Sequence, residues 1–589
     1  MKFPYGISDF RKIITRGYFY CDRTDRIPLL ENGEYLLFLR PRRFGKSLLL
    51  SMLANYYDVE REDQFQELFG HLKIGENPTP LRNRYFILKW DFSCVDSSGK
   101  AEEIKQVLHD HINARIKRFA AYYKDKLPEK IETDPHNAIN SMESLVSAVS
   151  MTPYPVYLLI DEYDNFANEV MMGVCRDRQD IYEALVYEEG PLKTLFKAVK
   201  SSTSESYFDR IFITGVSPVV MSDITSGYNI GESIYMLSEF NDLCGFSETE
   251  VKNALNKTAV CDMNASDAVD LMRTYYNGYM FAPDADMPVY NPALVIWFMK
   301  AFARTCKYPR NMLDTNLATD EAKLQYISQI PEGRQLLLDL VKKDRHIIIS
   351  ELADGFGIWK MLSDKSKDKV FMASFLYYFG VLTVKGETEQ GEICLKVPNL
   401  VMHRLYAERI QEMLLPEPGD RDDGVLAAKQ LYSKGDMAPV CEFVEQKYFQ
   451  VFHNPDYKWA NELTVKTAFL TLLYNDILYI MDSEQETNRR YSDLTMIIRP
   501  DMRRFKIFDV LIEFKFVKLA DAKLTGERAR KLTQDELRKI PVMRSEMEGA
   551  KAQVRDYGDA LQRKYGDLRL KRYVVVSLGF DRLWWEEVK

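Results

Sequence analysis

Gly45-Lys46-Ser47 stands where an apolar run, Tyr35-Leu36-Leu37-Phe38-Leu39, gives way to a helix-forming run beginning at Leu48. Strand, loop, Gly-Lys-Ser and helix are the order of a phosphate-binding loop, in which backbone N–H groups and the helix N-terminus face phosphate oxygens. Lys46 would reach the β- and γ-phosphates of ATP and Ser47 would ligate Mg²⁺, with Arg42, Arg43, Phe44, Gly45 and Leu48 completing the loop's contacts. Further on, Val156-Tyr157-Leu158-Leu159-Ile160 ends in Asp161-Glu162, an apolar strand closing on two acids. Asp161 would hold the Mg²⁺, and Glu162 would polarise the attacking water. A third apolar run, Arg210 to Val216, carries Thr214 at its end. Thr214 is a candidate γ-phosphate sensor, or a plain strand cap.

A second set of chemical residues lies near the other end. Asp493 opens the run Leu494-Thr495-Met496-Ile497-Ile498, and Glu513 and Lys515 sit two apart in Asp509 to Phe516. Side chains two apart on a strand face the same way. Two carboxylates and a lysine on adjacent strands are the parts of a metal-dependent phosphodiesterase: Asp493 and Glu513 offer hard oxygen ligands to Mg²⁺ or Mn²⁺. Lys515 can orient water and offset developing negative charge. Glu462, capped by Asn461, opens a helix whose apolar face holds Val465, Phe469 and Leu472. It is either a site carboxylate or an exposed first-turn glutamate favoured by the helix dipole. Gln553 is either a phosphate or water contact, or a helix surface residue.

The elements that must position these groups follow from periodicity. Strand-length apolar runs near 35–39, 85–92, 154–161 and 210–216, with a helical pattern at 101–124, imply a mostly parallel sheet with ligands at the carboxyl ends of its strands. The segment 1–34, with Gly6-Ile7-Ser8-Asp9-Phe10, either packs near a bound base or caps the domain. From about 241 the pattern turns helical, Ser247 to Glu250 forming a capping-box start. A helix ending near Phe379 and a strand at Cys394–Asn399 suit a small winged-helix unit. Pro416-Glu417-Pro418-Gly419-Asp420 reads as a linker. The expected domains are therefore 1–240, 241–415 and 416–589.

Composition narrows the class. With 46% hydrophobic and 28% charged residues, the 589-residue chain is an ordinary globular one. Its eight cysteines form no C-x-x-C pair, which argues against a zinc ribbon, a redox motif or a disulfide framework. That composition and the absence of a leader-like N-terminus lead to the expectation of a cytoplasmic protein. The most apolar stretch, 467–481, is broken by Asn475 and Asp476, so no membrane span is expected. Charge is uneven: Glu486 to Lys589 carry 24 Lys+Arg against 17 Asp+Glu on a chain of net charge −8. A basic end on an acidic chain points to a polyanion partner, DNA, or simply to a solvated surface.

The order of these motifs resembles bacterial proteins with an N-terminal AAA-ATPase-like domain and a C-terminal PD-(D/E)XK nuclease-superfamily domain. The residues that carry the resemblance are Gly6 to Phe10, Arg40 to Ser47, Leu159 to Asp164, Tyr276 to Tyr279, Tyr290-Asn291-Pro292, Ser492-Asp493-Leu494, Glu513-Phe514-Lys515, and Gln553 with Tyr557. The usual first glycine of a phosphate-binding loop is Arg40 here, which is this family's own variant. The resemblance implies a multidomain α/β chain: a P-loop sheet, a helical and winged-helix middle, and a restriction-endonuclease-like end. It implies nucleotide roles for Lys46, Ser47, Asp161 and Glu162, and nuclease roles for Glu462, Asp493, Glu513, Lys515 and Gln553. Arg490-Tyr491-Ser492 replaces the glycine and small residue that relatives often have before the aspartate, which would narrow the metal site. The function expected is an ATP-regulated, Mg²⁺-dependent DNA nuclease. The alternative is an ATP-driven switch whose nuclease-like end only binds nucleic acid or protein. An oligomer would follow from an arginine finger, which no residue locates.

Overall fold

The computed structural model describes residues 1–95, 100–165, 190–204, 207–218, 221, 229–258, 265–314, 321–340, 346–353, 368–452, 462–482, 486–487, 490–491 and 493–589. The chain forms two compact units. The first holds Met1–Cys306, Asn316–Ile327 and His346–Asn399; the second holds Lys307–Thr315, Ser328–Arg345 and Leu400–Lys589. The residues 241–415 are thus shared: most fall in the first unit, while 400–415 and two short excursions belong to the second.

The first unit is built on a parallel sheet of order β2-β3-β4-β1-β5. Its strands are β1 (Tyr35–Leu39), β2 (Phe86–Asp91), β3 (Val156–Asp161), β4 (Phe208–Gly215) and β5 (Glu232–Ser233). β3 is buried along its whole length and β4 nearly so, as expected where a parallel sheet is covered on both faces. Register sets Phe38 beside Thr214 and Asp91 beside Asp161. Because β4 lies between β1 and β3, Thr214 stands between the phosphate-binding loop and Asp161. Helix Glu248–Asn256 opens with the capping box formed by Ser247 and Glu250. Later, helix Lys369–Tyr378 turns at Gly380 (φ +76°) into β7 (Thr383–Glu387). With β6 (His346–Ile349) and β8 (Ile393–Lys396), β7 forms an antiparallel sheet of order β6-β8-β7.

The second unit has a mixed sheet of order β15-β14-β13-β12-β9. Its strands are β9 (Tyr479–Asp482), β12 (Leu494–Ile498), β13 (Asp509–Val517), β14 (Leu570–Leu578) and β15 (Arg582–Glu587), with a hairpin of β10 (Glu486–Thr487) and β11 (Arg490–Tyr491). Alternation along β13 divides the core. Val510, Ile512 and Phe514 pack with Val465, Phe469 and Leu472 of helix Glu462–Leu473. Leu511 and Val517 pack with Met547, Ala550 and Val554 of helix Pro541–Tyr565. Arg499 is fully buried, donating to the carbonyls of Pro309, Arg310 and Asp476, which stitches the segment 307–315 to this sheet.

Among the described residues, no helix is long and apolar enough to cross a membrane. Cys306 departs from the expectation of no disulfide framework: it is disulfide-bonded, whereas Cys21, Cys94, Cys244, Cys394 and Cys441 are free.

Candidate functional site

The phosphate-binding loop leaves β1 at Arg40 and enters helix Lys46–Tyr57 at Gly45, whose φ of +102° suits glycine. Arg43 also takes a positive φ of 66° and is exposed. The loop is clamped from behind. Arg40 is 1% exposed; its guanidinium donates to the carbonyls of Leu39, Tyr235 and Phe240, each at 2.8 Å. It also lies 4.5 and 4.1 Å from the ring centroids of Phe38 and Phe281. Burial pushes this guanidinium down to about 10, so it remains charged at neutral pH. Phe44 is buried edge-on against Tyr279 and Phe281, so its ring anchors the loop. Gly380 presses on Pro41, where an added Cβ would stand 2.7 Å from the proline ring.

Lys46 is buried, and its Nζ donates to the carbonyls of Arg40 (2.8 Å) and Pro41 (3.1 Å). Burial lowers its pKa, against the opposing pull of Asp161, Glu162 and Asp164. Ser47 and Leu48 follow, half-buried. Arg42 reaches Asn165 Oδ1 at 3.2 Å. Asp161 is 3% exposed and accepts the Thr214 hydroxyl at 2.8 Å. Glu162 adopts a positive φ of 50°, a costly backbone for a non-glycine residue. Burial raises its carboxyl above the usual range, with Lys46 opposing.

Asp164 holds the turn after β3 in place. Its carboxylate accepts the backbone N–H groups of Val216 and Ser217 and the Ser217 hydroxyl. Tyr163 donates to the Ser217 carbonyl at 2.6 Å. A Cβ on Gly215 would stand 2.4 Å from the Tyr163 ring, so glycine is required there. Sequence reasoning missed this turn; its signal was an acid three residues after Asp161.

Gly45, Lys46, Ser47 and Glu162 line one cavity of about 500 Å³. Its other walls come from Gly6, Ile7 and Tyr20, from Leu243 and Phe246, and from Ile296. Polar groups of the loop at one side and apolar or aromatic ones at the other suit a nucleotide. Arg23 closes this wall, paired with Glu250 and donating to the carbonyls of Asp242 and Gly245.

In the second unit, β12 and β13 pair antiparallel with Leu494 opposite Ile512, so Asp493 comes abreast of Glu513. The Phe514 N–H donates to Asp493 Oδ2 at 2.8 Å. Lys515 Nζ stands 3.0 Å from Glu513 Oε1, and Glu513 is 4% exposed. Lys466, also 4% exposed, brings its Nζ to 3.4 Å from Asp493 Oδ1. Its signal was a single cation in an otherwise apolar helix, one turn after Glu462. The buried Lys466 and the half-buried Lys515 therefore meet two carboxylates on neighbouring strands. This hard-oxygen donor set fits Mg²⁺ or Mn²⁺, and the ammonium groups balance the charge here. Glu462 opens its helix, but its side chain lies outside the described residues, as does Ser492. Gln553 is exposed on helix Pro541–Tyr565, and among the described residues it has no hydrogen bond to this group.

Residues 4–225 match a family model described as a predicted AAA-ATPase, and residues 460–586 match the PD-(D/E)XK nuclease superfamily. An uncharacterized protein in the vnfD 5′ region of Azotobacter chroococcum mcd 1 is 25% identical over 541 residues, spanning 88% of this chain and 90% of its own length. Among solved structures, the Walker-type ATPase paby2304 of Pyrococcus abyssi aligns with 65% of this chain and 94% of its own, at 12% identity and a TM-score of 0.35. The Aeropyrum pernix Orc1 protein, solved in complex with DNA, aligns with 68% and 96% at 11% identity and a TM-score of 0.26.

Proposed function

Because the chain joins an AAA-ATPase-like domain to a PD-(D/E)XK nuclease-superfamily domain, we propose that it binds and hydrolyses ATP and that ATP regulates a metal-dependent DNA nuclease at the C-terminal site. The observation that carries the nuclease reading is Asp493 abreast of Glu513 with Lys515 and Lys466 against them.

In the ATP site, Lys46 would leave the carbonyls of Arg40 and Pro41 for the β- and γ-phosphates. Asp161, fixed by Thr214, would hold Mg²⁺ together with Ser47. Glu162, aimed into the same cavity, would accept the proton of the attacking water. Its raised pKa makes it a stronger base than an exposed glutamate once ionised. Arg43, which lines that cavity, and Arg42 would meet phosphate oxygens in cis.

In the nuclease site, a divalent cation bound by Asp493 and Glu513 would supply Lewis-acid neutralisation at phosphorus. The Phe514 N–H fixes the Asp493 carboxylate. Lys515 would hold the attacking water or a phosphate oxygen, and Lys466 would help hold the Asp493 carboxylate in place. Water would add to phosphorus and give up a proton to solvent, one P–O ester bond would break, and the leaving oxygen would take a proton from solvent.

The test is cleavage of plasmid and single-stranded DNA with Mg²⁺ or Mn²⁺, with and without ATP, for the native chain and Lys515→Ala. Cleavage that responds to ATP and vanishes in the variant is expected. ATP hydrolysis without cleavage under any of these conditions would overturn the nuclease reading in favour of a switch.

A further inference from the structure

A second cavity, of about 430 Å³, lies against helix Lys46–Tyr57, strand β2 and helix Ala101–Tyr122. It is distinct from the nucleotide cavity and shares only Ser8 with it. Ser51 and Asn55 line it, one and two helical turns beyond Ser47. No role described above uses it.

Its charges are unevenly satisfied. The acids are engaged: Asp58 accepts the hydroxyls of Tyr122 and Tyr123 at 3.0 and 2.9 Å, and Asp91 accepts the N–H and hydroxyl of Ser93. Of the cations, Arg61 is held by Gln64 and Asp58 and lies over the Tyr122 ring; the other three are not engaged. Among the described residues, Lys89, Arg115 and Arg118 have no hydrogen-bond or ion-pair partner, and Arg115 Nε is buried. Lys89 sits in the middle of β2, between the buried Leu88 and Trp90. Lys89 is half-buried on the edge strand of the sheet and Arg115 is half-buried on its helix, and a cation that has given up part of its water without a partner favours a neutralising ligand.

We propose that this cavity binds a phosphorylated small molecule. Three unpaired cations converging from a strand and a helix suit a dianionic phosphate, and paired guanidinium groups match its oxygens. The volume admits a group of nucleoside monophosphate size.

The test is calorimetric titration of the full chain with inorganic phosphate and with AMP, each with and without saturating Mg-ADP. Saturable binding of at least one probe is expected in both conditions. Arg118→Gln, an exposed substitution, is expected to weaken it about tenfold, and Lys89→Gln with Arg115→Gln about thirtyfold or more. Lys46→Ala is expected to leave it unchanged. AMP binding tighter than phosphate would support the proposal with the nucleoside in contact; equal affinities would support it for the phosphate group alone. If neither probe binds at about 5 mM, corresponding to less than about 3 kcal/mol of affinity, the proposal falls. It falls equally if binding is lost in Lys46→Ala but retained in Arg118→Gln. The Arg118 readout needs no ATP binding, so failure here is distinct from failure of the ATP reading.

Discussion

Replacing Arg40 by glycine would restore the usual first residue of a phosphate-binding loop, and the structure says it will damage this one. Three charge-assisted hydrogen bonds hold the guanidinium at 2.8 Å, each contributing about 2 kcal/mol, and each ring contact contributes about 1 kcal/mol. Against this stands the desolvation of a fully buried guanidinium, large enough that its pKa is pushed from 12.5 down to about 10 despite the opposing contacts. Water entering the vacated space re-solvates part of the exposed carbonyls. The expected net loss is about 2–3 kcal/mol, including the conformational entropy of the new glycine. At a urea dependence of about 2–3 kcal/mol per M, the unfolding midpoint should fall by about 1 M. Arg40→Lys should fare little better, because one ammonium cannot span three carbonyls across two rings. The assay is urea unfolding followed by tryptophan fluorescence, paired with Mg-ATP titration. A midpoint within about 0.2 M of the native chain, with ATP affinity unchanged, would refute the claim that Arg40 clamps the loop.

Other outcomes follow from named contacts. Glu162 has a raised carboxyl pKa, so the acid limb of ATP hydrolysis should lie above the usual carboxylate range. The folded state holds this proton more tightly than the unfolded one. The stability contributed by this group is therefore fully present below about 4.5 and is lost as pH rises through the folded value. Glu162→Gln should abolish hydrolysis and unfold at higher temperature than the native chain at pH 7, with the two converging near pH 4; melting across pH checks this. Gly215→Ala forces a Cβ against the Tyr163 ring and Asp164. A loss of about 1–3 kcal/mol is expected, with hydrolysis falling more than ATP binding as the turn bearing Glu162 shifts; unchanged hydrolysis would contradict the assigned role of that turn. Lys466→Met should lower metal-dependent cleavage about 10- to 100-fold by freeing Asp493, while ATP hydrolysis stays constant; parallel assays on one preparation decide it.

What was legible in the sequence is what one stretch of backbone encodes locally. Gly45-Lys46-Ser47 after an apolar run, Asp161 at the end of a wholly buried strand and Thr214 at the end of another each carry their geometry in their neighbours. The pairing of Asp493 with Glu513 was legible because a strand's period of two and an antiparallel register leave little freedom. Contacts made across long sequence distances were not. Arg40 was legible only as a departure from the usual glycine, because its partners, Tyr235, Phe240 and Phe281, lie about 200 residues on. Lys466 drew no reading from the sequence, because only the register of β12 brings Asp493 to it.

ATP would act on the rest of its own unit through the contacts that hold the phosphate-binding loop. The loop that must reshape when Lys46 turns to phosphate is held by Tyr235, Phe240, Tyr279, Phe281 and Gly380, all beyond β4. Gly278, at φ +103°, passes so close to the Pro398 carbonyl that a Cβ would stand 2.1 Å from its oxygen. Asn399 donates to the Asn277 carbonyl at 3.0 Å. The loop, the Asn277–Phe281 segment and the end of the unit at Asn399 are therefore consecutive contacts in close packing, which resists gradual deformation. A ligand can bias such an assembly only through differential contacts with its alternative states. In this unit those contacts converge on the carbonyls that Lys46 now holds.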